Sequence, residues 1–255
     1  MKIVDLNSDI GESFGSYTLG LDKEVIKFVS SVNIACGWHA GDALIMDDTV
    51  KNAVDQGVAI GAHPGYPDLV GFGRRNMDIS LKEARAYILY QYGALQAFAQ
   101  AHKTFVQHIK LHGAFYNTAS VDEKFAKAIL DMMLELDENL ILMALSGSLI
   151  AKMAKEMGVK VAQEVFADRA YNKDGTLVSR KIEGSVIHDA DEAIARTKRM
   201  ILEGKVTTID GEDIDIVADS ICVHGDNPEA VEFVKNIRKS LIDEGIEIKP
   251  LHEFI

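Results

Sequence analysis

Val106-Gln107-His108-Ile109-Lys110-Leu111-His112-Gly113 joins an apolar β pattern to three ionisable side chains. Ile109 and Leu111 alternate with His108, Lys110 and His112, the two-residue period of a strand whose faces differ in character. A lysine within a strand normally marks an exposed edge. This run lies in mid-chain, so its ammonium is expected to point into the lumen of a closed sheet, opposite a carboxylate such as Asp9, Glu164 or Asp168. Six other short apolar runs also end in reactive groups. These endings are Asp9-Ile10-Gly11-Glu12, Cys36-Gly37-Trp38-His39, His63-Pro64-Gly65, Ser146-Gly147-Ser148, Glu164 to Asp168-Arg169, and His224-Gly225-Asp226. A parallel β/α barrel brings all its strand C-termini to one rim and makes an active site there. The sequence therefore reads as a seven-stranded β/α barrel enzyme.

The strand readings fall near 2–9, 31–36, 58–63, 106–112, 140–146, 160–166 and 219–224, with helices between them. Asp42–Gln56 carries an apolar stripe behind the N-cap Asp42. Ser80 and Glu83 form a capping box that opens a helix running to about Ala101, and Ser120 with Glu123 reads as a second box. Ser148–Met157 and Asp189–Glu203 follow. Asn227 with Pro228 starts the last helix and Gly245 stops it. Such alternation means parallel strands with right-handed crossovers. No Pro/Ser-rich linker divides residues 1–255, which read as a single catalytic domain. Two long connections, Pro64–Asp78 with Arg74-Arg75 and Asp168–His188 with Arg169 and Arg180, are read as lids. Asp210-Gly211 marks a hairpin excursion within Val206–Ile216.

Composition sets the boundaries. The 255 residues carry a formal charge of −12 and are 47% hydrophobic. That charge disfavours nucleic acid and anionic membranes as partners. There is no apolar run of membrane-spanning length. With no signal-like N-terminal segment and only Cys36 and Cys222, a reducing cytoplasm is the expected location. No P-loop, nucleophile elbow or metalloprotease helix motif is present. Gly71-Phe72-Gly73-Arg74-Arg75 does not follow a strand and is no dinucleotide fingerprint.

Among the rim groups, Asp5, Asn7 and Asp9 share one face of the first strand, opposite Val4 and Leu6. Asp9, His63, Lys110, His112 and His224 are read as functional. Glu12 and His39 are weighed against loop roles, and Asp168-Arg169 against a surface ion pair. His63 precedes Pro64, which fixes its backbone as extended. His108 is read as structural because it lies near the strand's entry end, and a strand places it about 13 Å from His112, which rules out a shared metal. Asp226 is free to face the pocket because Asn227 supplies the helix cap. Basic lids on an acidic protein indicate an anionic ligand. The residues alone leave hydrolysis or carbonyl chemistry on a small anion.

These segments together resemble the LamB/YcsF family. The resemblance rests on Asp5-Leu-Asn-Ser-Asp-Ile-Gly-Glu-Ser13, Asn33-Ile-Ala-Cys-Gly-Trp-His-Ala-Gly-Asp42, Gly61-Ala-His-Pro-Gly-Tyr-Pro-Asp68 with Gly71-Phe-Gly-Arg-Arg75, Lys110-Leu-His-Gly-Ala-Phe-Tyr-Asn117, Glu164-Val-Phe-Ala-Asp-Arg-Ala-Tyr171 and Val223-His-Gly-Asp226. The family is identified with the A component of an ATP-dependent 5-oxoprolinase, and its fold with a seven-stranded barrel related to polysaccharide deacetylases. The resemblance implies opening of 5-oxo-L-proline to L-glutamate, coupled to hydrolysis of ATP and carried out with partner subunits B and C. It implies a general base among Asp9, Glu164 and Asp168, with His39, His63, His112 and His224 around the reacting centre. Lys110, Arg169, Arg74, Glu12 and Asp226 then hold substrate or phosphate. The related deacetylases bind a divalent metal through an Asp and two His, for which Asp9, His39 and His63 are the nearest equivalents. A stand-alone metal-dependent amidohydrolase is the alternative.

Overall fold

A computed structural model describes residues 2–225 and 227–255. Its strands are β1 (Ile3–Ile10), β2 (Ser31–Ala35), β3 (Ala59–His63), β4 (Val106–Lys110), β5 (Ile141–Leu145), β6 (Val161–Phe166), the hairpin pair β7 (Lys205–Thr207) and β8 (Asp213–Asp215), β9 (Ser220–Cys222) and the two-residue β10 (Glu247–Ile248). β1 to β6 pair in sequence, all parallel. β9 then pairs with both β6 and β1 and closes a seven-stranded barrel. The seven barrel strands are the seven expected ones. β10 extends β1 at its entry end.

The helices around the barrel are α1 (Asp22–Val25), α2 (Ala43–Gln56), α3 (Leu81–Ala101), α4 (Gly113–Val121), α5 (Glu123–Leu136), α6 (Leu149–Met157), α7 (Ala190–Leu202) and α8 (Pro228–Asp243). Their caps explain their bounds. Asp42 accepts from the Leu44 and Ile45 amides, Ser80 and Glu83 form the expected box, and Asn227 accepts from Ala230. The second expected box is not formed. Asp122 caps α5, while the Ser120 hydroxyl bonds back to the Tyr116 carbonyl inside α4. That helix begins directly at Gly113, whose φ of +56° lets strand turn into helix without a loop.

Strand parity sorts the barrel as the sequence indicates. Val4, Leu6, Ile34, Ile60 and Ile109 lie in the core between barrel and helices. Inside, one polar column is bonded from end to end. Asp5 accepts from the hydroxyls of Ser30, Ser31 and Ser220. Asn7 donates to Ser220 Oγ at 2.7 Å, and Asn33 donates to Asn7 and to Asp9 at 2.7 and 2.8 Å. His108 Nε2 meets Asn33 Oδ1 at 2.6 Å. Buried polar groups are tolerated when paired in this way. Despite its three donors, burial pushes the Asp5 carboxyl up to about 6. Beside this column Ile141, Met143, Ala162 and Leu251 pack together, backed by Phe254 and Ile255.

The β3–β4 register shifts between Ile60 and Gly61, and a Cβ on Gly61 would fall within the His108 ring. Gly61→Ala is expected to destabilise the fold by about 3 kcal/mol, read as a lower urea midpoint.

Candidate active site

The C-terminal ends of β1, β2, β3, β4, β6 and β9, with the loops after them, bring Asp9, Glu12, His39, His63, Lys110, His112, Glu164, Asp168 and His224 to one mouth. Lys110 is its centre. The residue is 2% exposed, and its ammonium is 2.9 Å from Asp9 Oδ1, 2.8 Å from Glu164 Oε1, 3.4 Å from Asn7 Oδ1 and 3.3 Å from Cys222 Sγ. The Glu164 contact is an ion pair whose angle falls outside hydrogen-bond geometry. Burial lowers the Lys110 pKa, but Asp9, Cys222 and Glu164 outweigh it and hold the group charged, well above the ordinary lysine value. Burial likewise raises the Asp9 carboxyl, and His63 and Lys110 overcome this and hold it well below the carboxylate range. Asp9 is therefore an anion at the mouth, with 16% of its side chain exposed. Glu164 is fully buried, and its other oxygen accepts from Tyr116 at 2.9 Å.

A second dyad lies on the far wall. His224 Nδ1 is 2.9 Å from Asp168 Oδ2, with side chains 23% and 17% exposed. Burial raises the Asp168 carboxyl and the His224 contact outweighs it, leaving it below its usual value. Asp9, Cys222 and His224 each place a donor atom within 4.8 Å of the others.

Three histidines form the opposite wall. His63 Nδ1 donates to the Lys110 carbonyl at 2.8 Å, and His112 Nε2 to the Phe72 carbonyl at 2.8 Å. Their remaining nitrogens meet at 2.9 Å. His39 stacks flat on His112, with ring centroids 3.7 Å apart. It does not lean on the Trp38 indole, which packs against Tyr87 and Tyr90 of α3. Burial and the neighbouring imidazoles hold His39 and His112 neutral, far below the ordinary histidine value. Glu12 Oε1 lies 3.6 Å from His39 Nε2 and 3.9 Å from His112 Nδ1. The four donor atoms of Glu12, His39, His63 and His112 all fall within 4.8 Å of one another. His39 and His63 of the expected metal trio belong to this cluster. Asp9 stands beside it, 3.4 Å from His63 Nε2, and Glu12 and His112 complete the set.

The first lid is docked on this wall. The Gly73 carbonyl accepts from the Ala114 amide, and Gly73 at φ +61° lies too close to His112 and His39 to carry a side chain. Arg74 is exposed, its guanidinium 4.9 Å above the Phe72 ring. In the second lid Arg169, expected to hold an anion, is bonded to its own loop. The guanidinium is buried and donates to the Ser185 and Val178 carbonyls at 3.2 and 2.6 Å, tying the lid to itself. Two of its five N–H groups are thereby committed to backbone carbonyls of its own loop. His108, expected to be structural, is so: burial takes its imidazole down to about 3 and it only orients Asn33. Asp226 lies outside the described residues. Parity puts Cys222 on the lumen face with His224, as the structure does, though sequence reading assigned it no role. Asn33 and Tyr116 were missed, the first open to the same parity argument, the second needing α4.

Fold and mouth together define a β/α barrel of the hydrolase type, with its ionisable groups at the strand C-termini. The LamB/YcsF family matches residues 4–255, and this chain belongs to it. The A subunit of 5-oxoprolinase from Fusobacterium nucleatum is 63% identical over 252 residues, spanning 99% of this chain and 98% of that protein. The crystal structure of a lactam utilization protein from Thermus thermophilus superposes with a TM-score of 0.91 at 44% identity, covering 98% of this chain and 99% of the other. A protein of Enterococcus faecalis, described in terms of cellobiose-phosphate cleavage, shares the fold at a TM-score of 0.63 and 15% identity, over 99% of this chain and 98% of that one. No described helix is long and apolar enough to cross a membrane.

Proposed function

We propose that this chain is the lactam-opening component of an ATP-dependent 5-oxoprolinase, converting 5-oxo-L-proline to L-glutamate together with subunits B and C in the cytoplasm. The carrying observation is the buried Lys110 held between Asp9 and Glu164 at a mouth that also presents the Asp168–His224 dyad. The names of similar proteins, a 5-oxoprolinase A subunit and a lactam utilization protein, support the substrate and the partners.

A five-membered lactam is a stable amide, and its ring opening needs a driving force. Transfer of the ATP γ-phosphoryl group to the amide oxygen breaks the bond to ADP and leaves an imidate-type phosphate on the ring. Water then adds to that carbon, the ring C–N bond breaks as the nitrogen takes up a proton, and a second water hydrolyses the resulting acyl phosphate to glutamate and inorganic phosphate. Lys110 stabilises the developing negative oxygens, a role that a preorganised charge in a water-poor mouth performs best. His224, oriented by Asp168, takes the proton from water. Asp9 keeps Lys110 charged and placed. The exposed Arg74 on the first lid serves the carboxylate or phosphate.

The stand-alone metal-dependent amidohydrolase remains as a second reading because one specific observation favours it, the four-donor cluster of Glu12, His39, His63 and His112. A divalent cation there would supply Lewis-acid polarisation of a carbonyl or phosphoryl oxygen. Glutamate and phosphate release should be followed with and without subunits B and C. The expected result is equal release of both in the full complex with ATP, and none from the isolated chain lacking nucleotide. Glutamate formed by that chain without nucleotide would remove the coupling and favour the second reading.

A further inference from the structure

The hydrogen bonds of the histidine wall fix the outward proton of two rings and leave the third ring, His39, without a partner among the described residues. The Lys110 carbonyl needs a proton on His63 Nδ1, and the Phe72 carbonyl needs one on His112 Nε2. The inward nitrogens, His63 Nε2 and His112 Nδ1, thereby face each other at 2.9 Å, with Asp9 Oδ2 3.4 Å from the former. His39, buried and 0% exposed, adds a third nitrogen with nothing to bond. Neither its Nδ1 nor its Nε2 has a hydrogen-bond partner among the described residues, and Nε2 is directed toward Glu12. A proton shared between His63 and His112 would reconcile that pair, but His39 would stay orphaned.

We infer that Glu12, His39, His63 and His112 form a binding site for one divalent cation of the zinc class. Three imidazoles and one carboxylate suit such an ion by ligand chemistry. The carbonyl bonds on the far nitrogens of His63 and His112 are the outer contacts that fix a ligating histidine's tautomer and aim. The stacked rings of His39 and His112 cannot both direct their lone pairs at one ion, so binding tilts His39 out of the stack. Phe72 and Gly73 cap the cluster from the first lid, so the lid is joined to the site through the Phe72 carbonyl that orients His112.

The test needs no lactam assay, so its failure and that of the proposed activity are separable. The full chain, stripped with a chelator, is titrated with zinc by calorimetry and with cobalt by visible absorption. The expected result is one ion per chain, with a cobalt spectrum characteristic of nitrogen ligation. Glu12→Gln, at a partly exposed position that leaves the buried imidazoles in place, should weaken binding at least tenfold. His63→Gln and His112→Gln should abolish it, while His188→Asn, at an exposed position, should change nothing. Absence of a tight site in the wild-type chain overturns the inference. So does a site that survives Glu12→Gln and His112→Gln, or one lost instead in Cys222→Ser, which would move the ion to the Asp9–Cys222–His224 group.

Discussion

Lys110→Met is expected to reduce glutamate release by the reconstituted complex at least about 10³-fold, the scale of removing a preorganised charge from a reacting centre. The ammonium lies within bonding distance of Asp9, Glu164, Asn7 and Cys222. Methionine fills much of the same volume but leaves Asp9 and Glu164 opposed, with Glu164 wholly buried. An uncompensated buried charge costs about 3–5 kcal/mol, so the variant should also unfold at a lower denaturant concentration. Glu164→Gln separates the two effects. Its carboxylate touches Lys110 and Tyr116 and is wholly buried behind the ammonium. It should therefore cost stability with a smaller fall in kcat than Lys110→Met. Equal activity losses in both variants would mean that Lys110 acts only as a structural counter-ion. The measurements are kcat from glutamate release and the midpoint of urea unfolding for each purified variant.

The barrel was legible because its signals are local. Apolar alternation, Ser80 with Glu83, Asn227 with Pro228, and Asp210-Gly211 each announce an element within a few residues, and all four were realised. Convergence of Asp9, Lys110 and Glu164 followed from parity, since a closed sheet has only one interior. The misreading of the second capping box has a local cause. Ser120 and Glu123 look like a capping box until α4 is known to run through Ser120, and that helix was hidden because Gly113 turns β4 straight into it. The role of Arg169 depends on which carbonyls the 169–187 loop turns toward it, a tertiary fact with no sequence period. Asp9 and Glu12 are close in sequence and chemically alike, and only the path after Gly11 places Glu12 within 4 Å of both His39 and His112.

His224→Gly is expected to lower kcat by about 10²–10⁴, the range for loss of a positioned proton-transfer group, with little change in the unfolding midpoint because the ring is 23% exposed at the rim. Asp168 holds Nδ1 at 2.9 Å, fixing which ring nitrogen carries the proton and stabilising the imidazolium that forms when water gives up its own. Asp168→Asn keeps an oxygen able to accept that bond but loses the charge, so it should reduce kcat less than His224→Gly while leaving KM for 5-oxoproline nearly unchanged. Free imidazole added to His224→Gly discriminates between proton transfer and mere architecture. The rim position leaves a path from solvent, and restored turnover that saturates with imidazole is the expected result. If turnover in His224→Gly stays near wild type, or falls without rescue while Asp9→Asn becomes inactive, the proton goes instead to Asp9. That carboxylate, held well below its usual range by His63 and Lys110 against burial, binds a proton only weakly.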